Sequence, residues 1–209
     1  MNRWCVASAA VVMSLVAMVS VGRASVLLYD NLGQTSTGSD HVSASLGTVH
    51  GPLYNSFSTA VGSGSLVTDV RLLLKDSAGG TGSTTVGIYS DSGNTPGVLF
   101  ATVGVVNDTS LTATAAIVDV LPGAPISLAA NTRYWIGLST SDNSTAQWVF
   151  TSSSAGLGVS GQFFSNSSGT HGVSDGPYQM AVVPEPSVGA LAFAAVACAG
   201  VSAWWRRSR

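Results

Sequence analysis

A long uncharged apolar run near the C-terminus limits how this chain can fold more than any other feature of the sequence. Residues 188–205 are eighteen consecutive residues without a charged side chain. As a helix they would extend about 27 Å, just enough to cross the hydrocarbon core of a bilayer. Trp204 and Trp205 end the run where an interfacial aromatic belt lies, and Arg206 and Arg207 begin a basic tail. The pattern predicts a transmembrane helix with its tail in the cytoplasm, and a buried C-terminal helix is the alternative.

A Pro-Glu-Pro tripeptide precedes the apolar run. Pro184 and Pro186 lack backbone donors and favour an extended backbone on either side of Glu185. An extended segment of this kind suits presentation to an enzyme at the membrane face. A stiff spacer between a domain and the membrane is the plainer interpretation, and the two are compatible.

The tripeptide, apolar helix and basic tail of residues 183–209 occur in the order and spacing of a known sorting signal. The segment resembles the PEP-CTERM signal of Gram-negative bacteria that make extracellular polysaccharide. The resemblance implies recognition by exosortase, a membrane-embedded enzyme with a Cys nucleophile that cuts near the tripeptide and releases or transfers the outer domain. The residues carrying this implied sorting and processing role are Pro184, Glu185, Pro186, Arg206 and Arg207.

The N-terminus has the pattern of a secretory signal peptide. A basic Arg3 precedes an uncharged apolar stretch at 6–21, and Gly22 and Ala24 are the small residues that signal peptidase reads. We therefore predict a signal peptide over 1–24, with cleavage after Ala24. Retention of the stretch as an anchor is the alternative, although sixteen apolar residues are short for a membrane span.

The segment between these two ends, residues 25–183, has the length of one domain. Both cysteines, Cys5 and Cys198, lie outside it, so we expect a core that needs no disulfide. Its basic residues are Arg71, Lys75 and Arg133 against nine Asp, giving a net charge of −6. Because nucleic-acid binding needs clustered Lys and Arg, this charge excludes nucleic acid as an expected partner.

Short apolar-polar alternations separated by Gly, Pro and Asn predict an all-β fold. The clearest strand is 66–74, where we expect Leu66, Thr68, Val70, Leu72 and Leu74 on the core face. Residues 30–41 are rich in Gly, Ser and Thr and are predicted as a loop. The pattern predicts an antiparallel β-sandwich, jelly-roll-like. The other predicted strands are 26–29, 84–90, 99–106, 115–120, 126–128, 133–138, 147–151, 162–165 and 178–183.

Three parts of this segment carry a second resemblance. The first part, 86–104, contains an Ile-Tyr strand and a Pro-Gly turn. The second, 125–139, contains the sequence Leu-Ala-Ala-Asn-Thr followed by a Tyr-Trp strand, and the third is the lone Trp148. Together they resemble the choice-of-anchor R type of β-sandwich domain, which precedes surface-sorting tails in bacteria. That family carries no established enzymatic activity.

Two glycine-rich strings match motif spacings but lack the required context. Residues 156–161 have the dinucleotide-binding spacing, yet the predicted strand with Phe163 and Phe164 stands where a helix is needed. Residues 172–176 have the nucleophile-elbow spacing, and Pro177 stands where that motif requires a helix. We expect neither a bound dinucleotide nor a nucleophilic serine.

The spacing of the potential metal-ligating residues predicts neither a cofactor nor a metal centre. His41, His50 and His171 are too scattered for a metal-ligand pattern and are interpreted as surface-loop residues. Loop carboxylates and amides at 91–94 or 142–143 are hard oxygen ligands, so a calcium site remains an alternative.

Trp135 is the candidate ligand contact. Tyr134 and Trp135 are adjacent on one strand, so their side chains point to opposite faces, and Ile136 and Leu138 place Tyr134 inward with the core. An outward Trp could stack on a sugar ring. The alternative is that a neighbouring loop covers Trp135, while the core covers Trp148.

Two functions are compatible with these observations. The first is an exported, non-catalytic surface or matrix protein with weak carbohydrate or adhesive contacts; its partners would be signal peptidase, exosortase, the inner membrane before processing and extracellular polysaccharide. The second is a secreted glycan hydrolase whose carboxylates come from the loops, with Asp91, Asp142 and Asp175 as candidates. The absence of Glu from residues 25–183 favours the first.

Overall fold

The computed structural model describes residues 27–61 and 64–185, and within them the chain forms strands joined by loops and two single-turn 3-10 helices. The predicted signal peptide, transmembrane helix and basic tail lie outside the described residues. The strands are β1 (Tyr29–Asp30), β2 (Ser36–His41), β3 (Leu53–Ser58), β4 (Ser65–Lys75), β5 (Ser83–Asp91), β6 (Pro96–Asn107), β7 (Ala116–Val120), β8 (Ile126–Leu128), β9 (Arg133–Ser139), β10 (Gln147–Thr151), β11 (Phe163–Asn166), β12 (Gly169–Gly172) and β13 (Met180–Pro184).

These strands form two antiparallel sheets. The seven-stranded sheet has the order β1-β13-β4-β10-β2, and β7 and β8 also pair with β4. The six-stranded sheet has the order β12-β11-β3-β9-β5-β6. Apolar side chains from both sheets belong to one buried cluster, as expected when two sheets pack face to face. The predicted all-β, antiparallel architecture is therefore confirmed.

The inward faces of β5 and β9 follow the predicted alternation. Val86 and Ile88 on β5, and Ile136 and Leu138 on β9, have none of their surface exposed. Because β5 and β9 are neighbours with Val86 opposite Leu138 and Ile88 opposite Ile136, these side chains form one continuous apolar patch. Tyr134 lies on the same face and is buried, as predicted.

Tyr178 contacts residues of both sheets. Its ring stacks on Trp148 with a centroid distance of 4.8 Å, and its hydroxyl donates to Oδ2 of Asp40 at 2.7 Å. Both of these residues belong to the seven-stranded sheet. The Tyr178 amide donates to Oδ1 of Asn55 on β3, at 3.2 Å, in the six-stranded sheet. Trp148 is fully buried, which agrees with the alternative in which the core covers it.

The prediction for the strand 66–74 is correct for its second half and wrong for its first. Val70, Leu72 and Leu74 are buried, but Leu66 is 40 % exposed and Val67 takes the core position. On β13, Val183 pairs with Asp69 and Pro184 pairs with Val67, so Thr68 is the extra residue of a β-bulge. The bulge reverses the alternation on its N-terminal side, and no apolar pattern in the sequence signals it.

Residues 36–41, predicted as part of a loop, form strand β2. This strand has no apolar residue, so its sequence contains no apolar-polar alternation from which a strand could be predicted. β2 is held by its ladder to β10 and by polar side chains instead. Ser36 Oγ donates to Gln179 Oε1 and Ser39 Oγ donates to Gln147 Oε1, each at 2.7 Å. Strands β3 and β12 were also missed.

A buried carboxylate organises the loop between β4 and β5. Asp76 accepts the amides of Ala78 at 2.9 Å, Gly79 at 3.2 Å and Gly80 at 2.7 Å, and it is only 4 % exposed. Burial acts to raise the pKa of Asp76, but these hydrogen bonds outweigh it and hold the pKa below its usual value. The loop therefore depends on an ionised Asp76.

None of the helices in the described residues has the length and apolar character that a membrane crossing requires.

Asp76→Asn should lower the free energy of unfolding by about 1–3 kcal/mol at neutral pH, because an amide cannot accept all three hydrogen bonds. The pKa of Asp76 is depressed in the folded state, so its stabilisation is present above the unfolded pKa of about 3.9 and is lost as the pH falls through the folded pKa. The difference between variant and parent should therefore narrow below about pH 4. Urea unfolding of both proteins, repeated over a range of pH, measures the loss at neutral pH and its decrease at low pH.

The matched control is Asp175→Asn, since Asp175 is exposed. Equal losses in the two variants, or an Asp76→Asn deficit that does not change with pH, would contradict this account of the loop.

Candidate functional site

Trp135 lies on the outer face of the six-stranded sheet, away from the core. It is on β9 between β3 and β5, where its partners are Ser56 and Tyr89. The predicted outward direction is correct, but none of the Trp135 surface is exposed. The indole ring therefore offers no free face to a ligand in this structure, and the covered alternative describes it.

A hydrogen bond to Asp91 fixes the orientation of the Trp135 ring. The indole Nε1 donates to Asp91 Oδ1 at 2.8 Å. Asp91 is the last residue of β5 and opens the turn to β6, in which Gly93 and Asn94 have positive φ angles of 64° and 68°. The other carboxylate oxygen, Oδ2, has only a long contact of 3.4 Å with the Asn94 amide. One oxygen of Asp91 thus holds Trp135, and the second keeps accepting capacity.

Arg133 lies two residues before Trp135 on the same face. Its guanidinium lies 4.9 Å from the centre of the Phe163 ring, donates to the Gly161 carbonyl at 3.1 Å and bonds the Asn94 side-chain oxygen. In residues 27–61 and 64–185 the ion pairs involve Arg71, and Arg133 is in none of them. Arg133 is therefore fixed by a cation–π contact and by neutral acceptors.

An open groove of about 480 Å³ lies beside these residues. Its walls come from the end of β5, from β6 and from the start of β9. Phe100 on β6 is 51 % exposed, and its ring centre is 5.6 Å from that of Tyr134. The residues lining the groove are Ser90, Asp91, Phe100, Asn131, Thr132, Arg133 and Tyr134. The groove therefore combines one half-exposed aromatic ring with several polar groups.

A pair of tyrosines covers the sheet next to Trp135. The rings of Tyr54 and Tyr89 meet edge to face with centroids 5.1 Å apart, above Gly137. A Cβ atom at residue 137 would lie 2.5 Å from both rings, so glycine is required for this close approach. Burial raises the pKa of Tyr54, and the nearby Tyr89 adds to that effect. This face carries aromatic rings that the alternation pattern alone did not single out.

Two of the loop carboxylates proposed for catalysis, Asp91 and Asp142, lie at opposite ends of β5. Asp91 is the last residue of β5, whereas Asp142 accepts the amide and hydroxyl of Ser83, the first residue of β5. Eight strand steps separate the two ends by about 26 Å, far beyond the roughly 5–9.5 Å between paired carboxylates in glycosidases. Asp175 lies in the 3-10 turn that precedes β13. The structure thus does not bring Asp91 and Asp142 together.

Of the two candidate calcium loops, the one at 142–143 has its carboxylate engaged by neighbouring side-chain and backbone donors. Both oxygens of Asp142 accept hydrogen bonds from Ser83, and Thr140 donates to Oδ1 at 2.7 Å. The Thr140 hydroxyl, followed by the Ser83 amide, holds the pKa of Asp142 below its usual value. Within the described part of the chain, no group of three or more His, Cys, Asp or Glu side chains could hold a metal ion.

The two glycine-rich strings are loops that pack against neighbouring strands or turns. Gly156 and Gly158 have φ angles of 139° and 71° and lie against the backbone carbonyls of Asp30 and Leu28, which leaves no room for a Cβ. The string 172–176 contains the 3-10 turn Val173–Asp175.

His41 and His171 lie in strands rather than in surface loops, whereas His50 lies in the loop between β2 and β3 as interpreted. His41 ends β2 and forms an isolated parallel bridge with His50, and His171 on β12 stacks on Phe164 with centroids 5.1 Å apart. The sequence shows these residues 9 to 130 positions apart and gives no sign of the contact between His41 and His50.

The Asp40–Tyr178 hydrogen bond was also missed by sequence reasoning. Burial raises the pKa of Asp40, while hydrogen bonds from Tyr178 and Asn166 act in the opposite direction. The residues are 138 positions apart, so only the folded chain reveals the contact.

No protein-family model matches this chain, and a search of curated proteins finds no match either.

Replacing Trp135 by Phe and Asp91 by Ala tests the hydrogen bond between them. A double-mutant cycle should give a coupling energy of about 1–2 kcal/mol, because the acceptor is a carboxylate. Denaturant unfolding of the four proteins gives this value. The matched control combines Trp135→Phe with Asp119→Ala, since Asp119 lies on the other sheet; these changes should be additive within about 0.5 kcal/mol. Additivity in the first pair would contradict the bond.

Proposed function

We propose that this chain is an exported, non-catalytic surface or extracellular-matrix protein that an exosortase processes at its Pro-Glu-Pro element. The observation that carries the proposal is the tripartite ending of the sequence, which begins at the final residue of the last strand. Pro184 ends β13, Glu185 is exposed, and the apolar run 188–205 and basic tail follow at once. This is the arrangement expected of a domain with a PEP-CTERM signal after it.

The role we propose for the described residues is binding rather than catalysis. The two antiparallel sheets support a jelly-roll-like sandwich related to the choice-of-anchor R domains. The half-exposed Phe100 ring and the polar groups that line its groove support weak contacts with carbohydrate or other surface polymers. Before processing, the protein would be anchored in the inner membrane by residues 188–205, and afterwards it would be at the cell surface or outside.

The end of β13 limits where a protease could cut. Pro184 is buried and pairs with Val67 of β4, and the Glu185 amide donates to the Leu66 carbonyl at 2.6 Å. A protease needs an extended, unpaired segment, and backbone held in a sheet ladder does not supply one until it opens. We therefore expect cleavage after Glu185, beyond the last of these backbone contacts.

The mass of the mature protein tests this proposal. In cells with an active exosortase, the chain should begin at Ser25 and end at Glu185 or later, whereas a strain without exosortase should retain residues up to Arg209. Intact-mass spectrometry of membrane and medium fractions distinguishes these products. An intact C-terminus in both strains would overturn exosortase processing. A mature C-terminus before Glu185 would overturn the limit set by β13.

A further inference from the structure

We infer that the groove beside Phe100 binds a neutral pyranose saccharide, with Phe100, Asp91 and Asn131 as its contacts. The volume of about 480 Å³ lies in the range of roughly 300–1,000 Å³ typical of small-molecule sites. The inference deepens the proposed function and rests on it, because an exported domain would be in contact with extracellular polysaccharide.

The chemistry of the groove matches the two kinds of surface that a sugar ring presents. The C–H face of a pyranose packs against an aromatic ring, and Phe100 leaves half of its surface exposed at the groove. Vicinal hydroxyls need acceptors and donors at the rim. Asp91 Oδ2 is a free acceptor apart from its long contact with the Asn94 amide. The Asn131 amide is exposed and supplies both donors and an acceptor.

The polar contacts are held in place before any ligand arrives. Trp135 fixes Asp91 through the indole hydrogen bond, so Trp135 acts as a positioning residue rather than as a ligand contact. Asn131 has a φ of 48°, and its backbone N–H donates to the Ala60 carbonyl at 3.0 Å, which fixes the backbone of the loop before β9 and leaves the side-chain amide exposed. Fixed contacts lose less entropy on binding.

The surroundings favour a neutral saccharide over a polyanion. Residues 25–183 carry a net charge of −6, which repels an anionic polymer. Arg133 is the basic residue that lines the groove, and its guanidinium already contacts Asn94, Gly161 and Phe163.

A peptide strand adding to β6 is disfavoured as the occupant. β6 is the edge of its sheet, but its pairing with β5 shifts register at Val86/Gly87, Ile88/Tyr89 and Tyr89/Asp91. Bulges of this kind bend an edge strand away from the regular ladder that an added strand needs.

The experiment uses the protein purified as the cell produces it, applied to immobilised gluco-, galacto-, manno-, xylo- and N-acetylglucosamine hexasaccharides, with polygalacturonate as the anionic probe. At least one neutral hexasaccharide should bind more tightly than polygalacturonate. Phe100→Ala should weaken that binding by about ten-fold, the loss expected for one stacking contact with its buried area. Asn131→Gly should also weaken it, because glycine keeps the positive φ and removes only the amide side chain.

Leu99→Ala is the matched control. Leu99 neighbours Phe100 on β6 and is also 51 % exposed, but its side chain lies beside Gly87 and Tyr89 on the outer face, whereas Phe100 lies against Tyr134. It should bind as the parent does. The inference is overturned if no neutral hexasaccharide binds, if polygalacturonate binds more tightly, or if Leu99→Ala and Phe100→Ala lose binding equally. Exosortase-dependent cleavage in a protein that binds no saccharide would refute this site and leave the sorting proposal intact.

Discussion

The two-sheet arrangement depends on the contacts of one buried tyrosine. The Tyr178 ring packs on Trp148 and its hydroxyl is bound by Asp40, both in the seven-stranded sheet, while its amide is bound by Asn55 in the six-stranded sheet. Stacking, a side-chain hydrogen bond and a backbone hydrogen bond therefore all converge on one residue. Apolar burial alone would allow the sheets to slide over each other. These directional bonds fix how the sheets are placed, and with them the faces that meet solvent.

Sequence reasoning succeeded where burial alone decides the structure. On β5 and β9 one face is apolar and continuous, so alternation at Val86, Ile88, Ile136 and Leu138 was enough to define both strands and their inward sides. It failed where polar contacts or irregular pairing decide. The bulge at Thr68 depends on the register of β13, more than a hundred residues later, and a local pattern contains no information about it.

In the candidate site, too, the direction of a side chain was predictable from the sequence, whereas its contacts were not. Alternation correctly placed Trp135 on the outer face, but it could not show that the ring would be covered, because its partner Asp91 comes from another strand. Phe100 and Asn131 looked like an ordinary strand residue and an ordinary turn residue. Only the folding of the β5–β6 turn against the start of β9 brings them to one groove. Binding surfaces assembled from separate loops are therefore the least predictable part of such a domain.

The loops of this domain are held by the carboxylates of Asp76 and Asp142 rather than by disulfide bonds. Small exported domains often rely on disulfides, but residues 25–183 contain no cysteine, and Asp76 and Asp142 tie down their loops with hydrogen bonds. Thiol–disulfide exchange therefore has no bond to form or break in this segment. The folding of residues 25–183 needs no oxidising machinery, and the fold holds no disulfide that a reducing environment could break.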